Sequence, residues 1–132
     1  MQFAGKLDQI EVRFEDLTRQ LAVPASAAPA FIVQARAIDS RLHDLIAASC
    51  GNAFLAHELS RLKILFRAFR DVSYTAHEAR NDFRRLGEEA HEHLAIVKAL
   101  RARDRREASR AMALHIRSGV KYWSRSLPDR NQ

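Results

Sequence analysis

The sequence predicts an all-α protein, an antiparallel bundle of about five to six helices forming one domain over residues 1–132. Apolar residues recur at three- and four-residue spacing through every long segment, the period of one helical face. Only four glycines and three prolines occur, and the prolines fall at or beyond segment ends. No stretch alternates apolar and polar residues as a half-buried strand would. At 132 residues and 47% hydrophobic content, the chain is long enough to bury a real core.

The spacing of Leu7, Ile10, Phe14, Leu17 and Leu21 predicts a first helix over Lys6 to Leu21, with Asp8, Glu11, Glu15, Arg19 and Gln20 on its polar side. Val23 to Pro29, with two prolines, reads as a loop. A second helix follows from about Pro29 to Ser49, its stripe made by Ala35, Ile38, Leu42, Leu45 and Ile46. Gly51 suits the left-handed position that ends a helix, and Asn52 suits the N-cap of the next. The third helix, Ala53 to about Tyr74, places Leu55, Leu59, Leu62, Phe66 and Phe69 on one face, with Arg70 flanking it and Arg67 further round. From about Thr75 to Arg103 a long helix carries Phe83, Leu86, His93, Val97 and Leu100, and Gly87 is a possible interruption. Asp104 and Glu107 have capping-box spacing and start a last helix over Arg105 to about Ser124. The polar tail at 125–132 is expected to fray.

Composition bounds the function classes. A single cysteine, Cys50, excludes an internal disulfide and fits a reducing cytoplasm. No apolar run approaches the ~20 residues of a membrane span, and no signal peptide is visible, so a cytoplasmic location without membrane partners is expected. The net charge is +6, and Arg101 to Arg130 carries nine basic and three acidic residues. Such a face can attract nucleic acid, but a solvated helix surface is the commoner explanation. Nothing in the sequence pairs a nucleophile with a base, and no Gly-rich phosphate loop or Cys-x-x-Cys is present. His43-Asp44 matches the dipeptide of helical metal-dependent phosphohydrolases, without the other spacings of that class.

The chemistry concentrates in the histidines. Wound at about 100° per residue, the helix after Ala90 places His93 among Ile96, Val97 and Leu100, while His91 points to the polar side. On the last helix His115 shares a stripe with Ala108, Ala111, Met112, Gly119 and Tyr122. The short link between these helices makes them antiparallel neighbours, so the two imidazoles can face each other. Asp39 and His43 lie one turn apart on the second helix and can reach one point. Each histidine alone is explained as a core residue with satisfied ring nitrogens, and Asp39–His43 alone as a surface pair. Together they read as one buried metal site, because burying several imidazoles without a common partner is costly. Zn²⁺, Ni²⁺, Fe²⁺ and Mn²⁺ all suit this ligand set, with Zn²⁺ put first. His57 and His77 sit among polar residues and read as surface.

Asp39-x-x-x-His43 followed by Gly51-Asn52 resembles a signature of the FCD domain, the effector-binding and dimerisation domain of FadR-type GntR transcriptional regulators. Glu92-His93-x-x-Ile96-x-x-Ala99-Leu100-x-x-x-Asp104 resembles a second segment of that domain, and Ala108, Ala111, Met112 and His115-Ile116 its end. The resemblance covers about Ala30 to Ser124. It implies a helical bundle with a divalent metal on Asp39, His43, His93 and His115, and a small carboxylate effector at or beside the metal. It also implies a homodimer and no enzymatic turnover. DNA would be reached only through a winged-helix domain absent from this chain. The first family helix is expected to be missing, since Lys6 to Leu21 looks like the second. Arg67 and Arg70 are candidate effector-binding residues, with solvated surface arginines as the simpler alternative. Two other readings stay open: a metal-dependent enzyme on a helical bundle, with Glu89 or Glu92 as candidate bases, and a structural helical dimer without ligand.

Overall fold

The structure, a computed structural model, describes the backbone of residues 2–20, 28–73 and 76–124 and the side chains of 2–19, 33–65, 85 and 87–122. Five helices account for the described chain: α1 (Phe3–Gln20), α2 (Ala28–Ser49), α3 (Ala53–Ser73), α4 (Ala76–Arg101) and α5 (Arg105–Ser124). The fold is all-α, and no strand occurs among the described residues. The expected loop at 23–29 and the tail at 125–132 fall wholly or mostly outside the described residues.

The core forms where three apolar stripes meet. Leu7, Ile10, Phe14 and Leu17 of α1 pack with Ala35, Ile38 and Leu42 of α2 and with Ala90, Leu94 and Val97 of α4. Burying a large apolar side chain contributes about 2 kcal/mol, whereas an exposed pair such as Arg19–Asp16 contributes a few tenths of a kcal/mol. The stripe, not the charged face, therefore holds α1 in place. Glu11 departs from its expected place on the polar side. It is buried, because Arg101 at the end of α4 folds over it and pairs with both Glu11 and Asp8. α5 lies along α4, and α4 runs through Gly87 without a break.

α3 packs only against α2 among the described residues. Leu55, Leu59 and Leu62, which share the apolar face read for this helix, are exposed, as are Phe54, Ile64 and Leu65. Periodicity marks an apolar face but does not say what covers it.

The helix joints follow from local chemistry. Gly51 takes a φ of 75°, and Asn52 Oδ1 accepts the amide of Leu55 at 3.0 Å as an N-cap. Between α4 and α5 the Arg103 amide donates to Leu100 O at 3.1 Å and the Asp104 amide to Ala99 O at 3.0 Å, the paired bonds of a Schellman motif. Asp104 then caps α5, its Oδ1 accepting the Glu107 amide at 3.0 Å. One residue thus closes one helix and opens the next, which fixes the register of α4 against α5. Arg103 occupies the left-handed position with a φ of 55°, where a Cβ is strained. Arg103→Gly is expected to stabilise the domain by about 0.5 kcal/mol, since relief of that strain exceeds the entropy glycine adds to the unfolded chain. Urea midpoints of the two proteins check this.

Candidate metal centre

Three helices bring four side chains to one point. Asp39 and His43 face the same way because they are one turn apart on α2, and His43 Nε2 lies 3.0 Å from Asp39 Oδ1. His93 enters from α4 and is 2% exposed, its ring against Phe14 of α1 at 5.0 Å between centroids. Its Nε2 lies 3.0 Å from the same Asp39 oxygen. His115 comes from α5 and places its Nε2 3.1 Å from His93 Nε2. The His43 ring lies 5.5 Å from the His115 ring and 5.4 Å from the His93 ring. One donor atom from each of the four residues falls within 4.8 Å of all the others. Asp39, His43, His93 and His115, the residues that the sequence singles out, are therefore gathered into one cluster.

The spacing suits a cation. Two donors bound at about 2.1 Å lie about 3.0 Å apart at right angles and about 3.4 Å apart at the tetrahedral angle. The contacts of 3.0 and 3.1 Å between Asp39, His43, His93 and His115 fall in that range. The donor set, neutral imidazoles with one carboxylate, is that of a borderline divalent ion.

Charge around the cluster is unbalanced towards the negative. Arg85 of α4 is 5% exposed, and its guanidinium reaches Glu88 at 3.4 Å, Glu89 at 3.1 Å and Glu92 at 3.1 Å. Three glutamates surround this arginine, and Asp39 adds a further carboxylate among the histidines, so that a cation bound there would offset an excess of negative charge. Burial is the strongest single influence on Asp39 and opposes its charge. Hydrogen bonds from His43 and His93, with the charges of those rings, together outweigh it and hold the carboxyl far below the usual range. Burial likewise works against a proton on His43, yet the Asp39 hydrogen bond and charge raise it overall. His115 is shifted down, by burial first and then by the neighbouring His93. Glu89 is pushed up by burial, against the pull of Arg85.

These directions predict how the metal-free domain answers pH. Asp39 has a lower pKa folded than unfolded, so its contribution is present above the unfolded value of about 4 and is lost as pH falls towards the folded one. His43 is raised, so its contribution is present below about 6.5 and is lost as pH rises through its folded value. In urea titrations the advantage of the wild type over Asp39→Asn should therefore shrink steadily below about pH 4. An advantage unchanged down to pH 3 would contradict the assignment.

His57 and His91 are exposed, as their polar neighbours predict, and the side chain of His77 lies outside the described residues. So do those of Arg67 and Arg70, the candidate effector contacts. Sequence reasoning missed Arg85. Its signal was available: glutamates three, four and seven residues further on lie along one side of the same helix. Glu92 is a candidate base by sequence, and the structure gives it a different partner. It reaches His115 instead, with Oε1 3.0 Å from Nδ1. The basic groove formed by Arg105, Arg106, Arg110 and Arg117 lies on the exposed face of α5 alone, where Arg110 is already engaged by Glu107.

A helical bundle that gathers three imidazoles and an aspartate defines a class of metal-compatible all-α domains. The chain matches the FCD domain over residues 7–118, and it belongs to that family. FCD domains serve as effector-binding domains of transcriptional regulators and are generally not enzymes. Neither a curated relative nor a solved structure matches the chain. No helix among the described residues is long and apolar enough to cross a membrane.

Proposed function

We propose that this domain is the effector-binding and dimerisation part of a GntR-type transcriptional regulator, with a divalent ion, Zn²⁺ first, held by Asp39, His43, His93 and His115. The observation that carries this reading is the gathering of three imidazole nitrogens and one carboxylate oxygen within 4.8 Å of one another. When bound, the ion supplies fixed positive charge to which a small carboxylate can attach. Four protein donors on a six-coordinate ion leave two positions for that carboxylate or for water. Arg67 and Arg70 are the proposed anchors for the rest of the effector. Two such domains would pair, and effector binding would shift their packing and so change how attached winged-helix domains meet DNA. The effector is held and not turned over.

Metal analysis of the purified protein comes first, followed by a thermal-shift series of small carboxylic acids with and without chelator. The expected result is bound metal and an acid-dependent stabilisation that chelation removes. An acid that stabilises chelated and metal-loaded protein equally would contradict binding through the ion.

A further inference from the structure

We infer that Glu92, anchored by Arg85, is the positioning residue that presents His115 to the metal. The inference rests on the metal reading above. A neutral imidazole carries one proton, so only one of its two nitrogens offers a lone pair. His115 Nδ1 lies 3.0 Å from Glu92 Oε1. An ionised carboxylate only accepts, so the His115 proton sits on Nδ1. The lone pair is then on Nε2, the atom that meets His93 Nε2 at 3.1 Å inside the cluster. With the other tautomer, a proton would occupy the place of the ion.

Glu92 is itself held. Arg85 Nη2 donates to the same Oε1 at 3.1 Å. Arg85 is fixed in turn by Glu89 at 3.1 Å and by Ser118 at 2.7 Å. Ser118 stands on α5 one turn beyond His115, so Arg85 ties the carboxylate to the helix whose histidine it orients. Tyr122, one further turn along, lies under the guanidinium at 5.7 Å. The chain of contacts therefore runs Tyr122 and Ser118 to Arg85, to Glu92, to His115, and ends at the cluster. Outer partners of this kind fix ring orientation and tautomer, and their loss typically costs ten- to a hundredfold in metal affinity.

An ion-pair network that only braced α4 against α5 would look similar in part. It would affect melting but would move neither the tautomer of His115 nor the affinity for metal. The test is Zn²⁺ competition with a chromophoric chelator, with long-range nitrogen–proton NMR of the His115 ring in the metal-free protein. Glu92→Gln is expected to weaken Zn²⁺ about tenfold and Glu92→Ala up to about a hundredfold. The Ala variant should also lose the single Nδ1–H form of His115. Circular dichroism establishes that both variants are folded, and the isosteric Gln variant carries the test if the Ala variant melts. Variants that bind Zn²⁺ like the wild type and keep the Nδ1–H form would overturn the inference and leave the metal site standing. A wild-type protein that takes up no Zn²⁺ would overturn the metal reading, and this inference with it.

Discussion

His93→Ala is expected to destabilise the metal-free domain by about 3 kcal/mol, the largest effect of any single change at the centre. Two losses add. The ring is 2% exposed and packs on Phe14 in the core, so truncation leaves a cavity under α1. Asp39 also loses one of its two histidine partners, and a half-buried carboxylate keeps its charge with fewer donors. For a domain of this size about 3 kcal/mol corresponds to a melting temperature lower by about 10 °C. His43→Ala should cost far less, because its ring is more than a third exposed and fills no core space. Equilibrium urea unfolding of the two chelated variants checks the ranking. Equal losses would mean that His93 is not the packed residue of the set.

The second large effect is stabilisation by the ion. Binding to the folded state alone adds about 2.7 kcal/mol when free metal is a hundredfold above its dissociation constant. That is an upward shift of about 10 °C. The shift should vanish on chelation and be absent from His93→Ala and His115→Ala, each of which removes a donor from the cluster. Differential scanning calorimetry over a Zn²⁺ series gives the answer directly. A melting temperature independent of Zn²⁺ would reduce the cluster to a hydrogen-bonded core motif. Because imidazoles must lose their protons to bind, and Asp39 raises His43 above the ordinary histidine value, the shift should also weaken as pH falls, starting above that value.

Much of this could be read before the fold was known. Gly51 with Asn52, and Asp104 with Glu107, mark helix ends through local chemistry, and the structure uses Gly51, Asn52 and Asp104 at those ends, while the Glu107 carboxylate turns to Arg110. The four donors were legible because three lie on or at the edge of apolar stripes, where a polar side chain needs a reason. What stayed hidden depends on distant partners. Glu11 is buried by Arg101, which lies 90 positions away. Arg85 is bound to Ser118 at a separation of 33. Helical periodicity assigns a residue to a face but does not name the helix opposite, so the apolar face of α3 was legible and its exposure was not.

The four donors differ in how far water reaches them, and that difference gives the site a doorway. His93 and His115 are 2% and 11% exposed, whereas Asp39 and His43 are 33% and 37% exposed. The α4–α5 side is a closed wall, and the α2 side is the threshold. A cation taken up at the proposed site would therefore meet the carboxylate first and the buried imidazoles last. A small acid drawn to such a cation would pass the same rim, so that the edge of α2 would set access to the proposed site.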